Sequence, residues 1–553
     1  MKQNNYIGLL VLILITGCLS CEDYLDKFPL DKPSDATFYS TESELVTAVN
    51  GVYNTSFYFK KADSPVNIII DCASDISWDR DQGSELQLLG EGLQVPTHAL
   101  YNDIWFNGYS VISQCNMLLA NMYKAREVTS ASLYERIEGE ARFFRAYHYH
   151  LLLNYFGNIP LLTEPQQITD YPEQAQPRDV ADFILKELEE TASKLPDSYT
   201  GDNKGRITKG AALAIKARQA LFYGDWAIAA DACKRVIDSG IYQLDADFSS
   251  LFTYQNAQSK ERIMYVQYSQ SNNYTHKIPA NLFSRMGSGW SNKVPPQSLV
   301  DAFYSLDGLP IDKSPLYNPA DPFKNRDPRL HATIVLPGST FLGYQFETHP
   351  DSLECWDYNS TPAIRRPNQD VTNAYATFSG YCWRKYTDEE RSLRERSELA
   401  VTIVRYAEIL LMYAEAQNEL GQMNEMAYNS LKAVRERAGM PAIVETSQEK
   451  LRGLIRQERK VELAMEGLRF FDIRRWKIAE SVMNGQLYGR PKRDYLSKYV
   501  PTFDDNGTPH YDGYAEDLKS FDTRHFNPSR DYLFPIPQKE LDINKNLKQN
   551  PNY

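Results

Sequence analysis

The sequence has no long basic run. Its 60 lysines and arginines are outnumbered by 72 acidic residues, and its basic clusters are short: Arg365-Arg366 and Arg474-Arg475 are pairs rather than a stripe. A surface that tracks a phosphate backbone needs a stripe of cations, so the composition argues against nucleic acid as a partner. Cysteine is sparse as well. Beyond Cys18 and Cys21, the cysteines at 72, 115, 233, 355 and 382 are scattered with no C-x-x-C spacing. That pattern indicates neither a zinc site nor a dense disulfide framework. Export would permit a disulfide, but no pair is singled out. The apolar run Ile7 to Ile15 falls short of the about 20 residues a membrane-spanning helix requires.

Catalytic signatures are missing in turn. No G-x-S-x-G elbow occurs, and Gly287-Ser288-Gly289 reads as a flexible turn. Gly201 to Gly205 lacks the spacing and the Lys-Ser/Thr ending of a phosphate-binding loop. Acidic residues such as Asp79, Asp81, Glu138 and Glu140 are plentiful, but no segment isolates the carboxylate pair that glycoside hydrolysis needs. His148 and His150 lie two apart on a predicted helix, so their side chains diverge and cannot share a metal there. The expectation is a protein without catalysis, cofactor or metal.

What is present in excess is aromatic: 37 Tyr, 24 Phe and 7 Trp. Tyrosine and tryptophan suit wet recognition surfaces, though most such rings fill cores. The N-terminus adds an address. Lys2, the short apolar run and Ile15-Thr16-Gly17-Cys18 read as a signal peptide over 1–17, ending in a sequence similar to a bacterial lipobox. Cys18 is the favoured acylation site, with Cys21 as the alternative. Acyl chains would then anchor the chain without any spanning helix.

Two helix-rich blocks, 18–241 and 397–553, flank a loop-rich insertion at 242–396, all forming one unit. Leu133, Ile137, Ala141, Phe144, His148 and Leu152 recur at helical spacing, and Gly157 and Pro160 stop that helix. Alanines from 211 to 220, the turn Phe222-Tyr223-Gly224-Asp225-Trp226, and Ala229, Cys233 and Val236 match a tetratricopeptide-like helix hairpin. A second hairpin runs through Tyr406, Leu410, Tyr413 and Leu420, turns at Gly421 and returns along Ala427, Leu431 and Val434. A further helix carries Val461, Ala464, Leu468 and Phe471 on one face. The insertion is rich in proline, which forbids long helices there. The fold class expected is an all-α-dominated helical-repeat scaffold whose irregular insertion carries the ligand surface.

A sugar site needs flat rings for C–H faces and forked polar groups for hydroxyls. Two segments supply that mixture: Asp71 to Arg80, with Asp75, Trp78, Asp79 and Arg80 after a strand-like Val66–Ile70, and Tyr274 to Trp290, with Asn273, His276, Arg285 and Trp290 among glycines. Trp290 is the leading platform candidate, against the alternative that it packs under its own loop. Trp105 reads as core.

Several long motifs carry a family resemblance. Arg456-Gln457-Glu458-Arg459-Lys460-Val461-Glu462-Leu463-Ala464-Met465-Glu466-Gly467-Leu468-Arg469-Phe470-Phe471-Asp472-Ile473-Arg474-Arg475-Trp476 is one. The stretch Arg530–Leu541 with the ending Asn544–Tyr553 is another, Asn552 standing where a glycine is usual. Ala141–Tyr147, Tyr155–Leu161 and Gly205–Ala212 also fit. In this order they resemble the SusD/RagB family over essentially the whole mature chain. The resemblance implies four tetratricopeptide-like pairs under an irregular upper region. It also implies a lipid-anchored, non-enzymatic surface protein of the outer membrane that captures oligosaccharides and hands them to a SusC-like TonB-dependent transporter. The alternative is a tetratricopeptide-type surface lipoprotein that binds peptides or proteins. Family ligand contacts come from comparable early and middle loops, a regional correspondence only. Glu458, Glu462, Arg469, Asp472 and Arg475 read as a structural ion-pair network joining helix and insertion.

Overall fold

The computed structural model describes residues 38–56, 65–167, 169–388 and 393–553. The predicted leader and both candidate acylation cysteines lie outside these residues. Helix α1 (Glu42–Thr55) opens on a capping box: Thr41 Oγ1 accepts from the Glu44 N–H, and the Glu44 carboxylate accepts from the Thr41 N–H at 3.0 Å. There follow α2 (Ala99–Asn121), α3 (Ala131–Phe156), α4 (Pro177–Lys194), α5 (Lys209–Tyr223) and α6 (Trp226–Asp238). After the insertion come α7 (Tyr406–Glu419), α8 (Glu425–Arg437), α9 (Gln448–Glu462) and α10 (Arg469–Arg475).

Each of α1 to α6 packs on the next, and α7 docks directly on α6, so the helical stack runs on as though the insertion were absent. Taken in order, α1/α2, α3/α4, α5/α6 and α7/α8 form four packed pairs. The α5 stripe of Ala211, Ala214, Ala217 and Ala220 is fully buried, and Thr208 caps it by accepting from the Ala211 N–H at 3.3 Å. Gly224 ends α5 in the left-handed region with φ 74°, which the turn into α6 requires. The insertion leaves and rejoins the stack through one antiparallel ribbon, Arg262–Val266 paired with Val401–Arg405. Within it the longest described helix spans only Gln297–Ala302.

Two local expectations are corrected. Val66–Ile70 is not extended: it forms a short α-helix, Val66–Ile69, running into a 3-10 turn over Ile70–Ala73. The turn is fixed by Asp71, whose buried carboxyl group accepts from the Gly467 N–H at 2.9 Å. The stretch from Val461 to Phe471 is two helices rather than one. It breaks where Met465 and Gly467 take positive φ, and a β-carbon on Gly467 would lie 1.7 Å from the Asn67 carbonyl oxygen.

Around that break sits the predicted ion-pair network. Glu458 meets Arg329 at 2.5 Å and Arg435 at 2.9 Å; Glu462 meets Arg405 at 2.6 Å, Arg329 at 2.9 Å and also Arg437. Arg329 comes from the insertion, so these carboxylates fasten it to α9. Arg469 and Asp472 face elsewhere, toward Asp75 and toward Arg459 and Arg475.

The C-terminal segment closes the first half of the core. The Phe534 ring stacks on Tyr155 at 4.8 Å beside Tyr101 and Phe470, and the Phe534 N–H donates to the Tyr155 carbonyl at 2.7 Å. Asn550 donates to the carbonyls of Phe156 and Phe534, and Gln94 donates to Asp531 at 2.5 Å. The described cysteines 72, 115, 233, 355 and 382 are free thiols and all buried.

Candidate functional site

The two segments singled out by composition are stitched to each other. Trp78 pairs with Val294 and Asp79 with Lys293 in a short antiparallel ribbon, extended by the Arg80 N–H donating to the Asn292 carbonyl at 2.7 Å. Beside this ribbon opens a cleft of about 810 Å³, walled by Asp79, Arg80, Asp81, Asn281, Arg285, Trp290, Asn292, Lys293 and Tyr375 among others. Of the predicted site residues, Asp79, Arg80, Arg285 and Trp290 meet here.

The loop from Phe283 to Ser291 sets the position of Trp290. The Gly289 N–H donates to the Ser284 carbonyl at 2.9 Å and the Ser291 N–H to the Phe283 carbonyl at 3.1 Å, with Ser288 and Ser291 both at positive φ. The Arg285 N–H donates to Asp370 at 2.6 Å, and burial pushes that carboxyl up to about 6. The Trp290 carbonyl accepts from Arg80 Nη2 at 2.8 Å and from Arg285 Nη1 at 3.3 Å. The indole is half-buried at the cleft wall. Tyr375, which lines the same cleft, is 64% exposed, with the Arg80 guanidinium 5.3 Å from its ring centre. A ring and a forked cation are thus held together at the open wall of the cleft.

Asp79 lines the cleft but is already engaged. It accepts from Lys293 Nζ at 2.8 Å, from Ser84 Oγ at 2.8 Å and from the Asp81 N–H at 3.0 Å. Three predicted residues do not share the cleft. Trp78 is 3% exposed and packs behind the wall against Phe521 at 4.8 Å and Phe378 at 5.8 Å, because it faces the opposite side of its ribbon. Asp75 is buried against Arg469 at 2.7 Å and Lys460 at 3.4 Å. Burial alone would raise its carboxyl, but the two cations hold it well below the usual carboxylate range. Tyr274 stacks on Tyr268 at 5.0 Å and lines a separate recess of about 440 Å³ with Tyr53, Arg206 and Tyr265. His276 is buried, with Nε2 2.9 Å from the Leu399 carbonyl. Trp105 is core, as expected, at 4% exposure.

Tyr375 was not singled out from the sequence. Its neighbours carry no periodic or turn signal pointing at it, and only its place in an aromatic-rich insertion hinted at a role. Among the described residues, no group of three or more His, Cys, Asp or Glu side chains is placed to hold a metal ion. None of the described helices is long and apolar enough to cross a membrane.

The fold and cleft together define a class: a tetratricopeptide-like helical scaffold bearing a loop-built, aromatic and polar cleft. The family described as the SusD family matches residues 260–553, and one described as starch-binding, associating with the outer membrane, matches residues 23–221. The chain belongs to the SusD family. SusD-like protein P2 of Formosa agariphila is 26% identical over 594 aligned residues, covering 100% of both chains. A SusD-like protein of Bacteroides ovatus is 25% identical over 545 residues, 93% of this chain and 90% of its own. Among solved structures, a SusD-like carbohydrate-binding protein from Bacteroides fragilis matches with TM-score 0.81 and 28% identity, covering 93% of this chain and 100% of its own. A laminarin-binding SusD-like protein shares the fold at TM-score 0.68 and 23% identity, over 93% of this chain and 100% of its own.

Proposed function

We propose that this chain is a non-enzymatic surface protein that captures oligosaccharides in the Trp290 cleft and passes them to a SusC-like TonB-dependent transporter. Acylation of Cys18, or alternatively Cys21, would hold it at the outer membrane. The observation that carries the binding reading is the pairing of a half-buried indole with an exposed tyrosine around forked polar groups. That is the surface a sugar ring calls for. Support for carbohydrate as the cargo comes from the Bacteroides fragilis relative, described as carbohydrate-binding, and from the starch-binding description that matches residues 23–221.

Few platforms and few hydrogen bonds give micromolar-to-millimolar capture, about −4 to −8 kcal/mol. Weak holding suits a protein that must release its cargo. Titration calorimetry against polysaccharide and peptide panels tests the reading. Trp290→Ala is expected to weaken glycan binding at least about tenfold with the melting temperature retained. Unchanged affinity would remove Trp290 from the site. Binding of peptides and of no glycan would end the carbohydrate assignment.

A further inference from the structure

The cleft contains an electrostatic arrangement that a neutral sugar does not require. Arg80 and Arg285 both donate to the Trp290 carbonyl, at 2.8 and 3.3 Å, so their guanidinium groups stand side by side. Arg285 also donates to the Gly289 carbonyl at 3.0 Å. Among the described residues neither of these half-buried arginines forms an ion pair with a carboxylate, whereas Arg329, Arg405, Arg459 and Arg469 all do. Arg80 Nε is buried and has no hydrogen-bond partner.

The nearby acids are committed elsewhere. Asp79 is held by Lys293 and Ser84, each at 2.8 Å. Asp81 accepts from Asn292 at 2.7 Å and sits 3.6 Å from Lys293, close enough to attract Arg80 without bonding it. Glu85 accepts from the N–H groups of Ala99 and Leu100 at 2.6 and 2.7 Å. Asp370 takes the backbone N–H of Arg285, not its guanidinium. Burial holds the Arg80 guanidinium below its usual range; the Arg285 charge adds to the effect, against the opposing pull of Asp81 and Asp79. Two like charges kept together in a partly desolvated wall, with donors unspent, are a cost that an arriving anion removes.

We infer that the cleft selects acidic oligosaccharides, with the Arg80–Arg285 pair receiving a uronate carboxylate or a sulfate ester while Trp290 and Tyr375 cover the sugar ring. This rests on the capture reading given above. A guanidinium only donates, and its fork matches the two oxygens of either group, whereas a neutral hydroxyl uses one donor at a time. The chain's net charge of −12 would repel an acidic polymer at long range. That repulsion is screened beyond about 10 Å in ordinary salt, so the local pair decides at contact.

The test uses matched probes on the purified mature protein. Oligogalacturonate is compared with its carboxyl-reduced form, and a sulfated galactan oligosaccharide with its desulfated form, by calorimetry at low and high salt. For at least one pair, the acidic member is expected to bind about tenfold or more tighter, with the advantage shrinking as salt rises. Whichever pair shows the gap identifies carboxylate or sulfate. Arg285→Gln, and Arg80→Gln with Arg285→Gln, should erase the gap between the acidic and neutral member of the pair; Trp290→Ala should weaken both members together and leave the gap in place. Equal binding of both members of each pair overturns acid selection and leaves glycan capture standing. Failure of every acidic and neutral glycan to bind overturns both. A gap that survives both arginine substitutions in a folded variant places the acid site elsewhere and overturns the assignment.

Discussion

A β-carbon added at Gly289 would lie 2.2 Å from the Cβ of Phe283 and 2.4 Å from its carbonyl oxygen. The chain reverses there against its own preceding residues, and that reversal sets the height of Trp290 in the cleft wall. Gly289→Ala is therefore expected to displace the loop and lower glycan affinity about tenfold or more, while the distant helical core keeps its melting temperature nearly unchanged. Calorimetry beside a thermal melt checks this; full affinity in the variant would show that the loop tolerates the shift. Asp71 is a second position where one group decides. Burial pushes its carboxyl up to about 7, against the N–H bonds from Gly467 and Phe470. The fold thus prefers the protonated acid, so the stability Asp71 contributes is fully present below the unfolded value of about 4 and is lost as pH rises through about 7. Asp71→Asn removes that titration. Its melting temperature relative to wild type should rise between about pH 5 and pH 8, and parallel curves would contradict the assignment.

At the scale of elements, the joint between α9, α10 and the insertion is electrostatic. Glu462 is fully buried and accepts from three arginines drawn from the insertion, the ribbon and α8. Burial alone would raise its carboxyl, yet Arg437, Arg405 and Arg329 hold it well below the usual range. Glu462→Ala strands those cations and should cost about 3–5 kcal/mol, read from the denaturation midpoint. A loss under about 1 kcal/mol would mean that the arginines find other partners. The helices themselves were legible because Ala211 to Ala220 and Leu410 to Val434 repeat at 3.6-residue spacing and turn at glycine. The break at Met465 was not, since the apolar stripe runs through it unbroken and the cause is a backbone contact from Asn67, almost 400 residues away in sequence. The same limit applies to the cleft. Composition marked Asp79, Arg80, Arg285 and Trp290, but only the pairing of Asp79 with Lys293 brings them together. That pairing also turns Trp78 inward, and Arg469 withdraws Asp75. Neither event leaves a local trace in the sequence.

For the whole molecule, the proposed anchor makes the simplest prediction. Mass spectrometry of the mature protein should find an acylated N-terminal cysteine, at position 18 by preference, and detergent extracts should carry a β-barrel partner with it. An unmodified N-terminus on a soluble mature chain would remove the anchor. The described chain is also tied end to start, since Phe534 and Asn550 complete a core whose other walls are Tyr101, Tyr155 and Phe156. The helices made first consequently wait open until this later segment arrives to seat among them. A ribosome that stalls before Phe534 releases a polypeptide with an unfilled aromatic hole, a lesion that proteases can read.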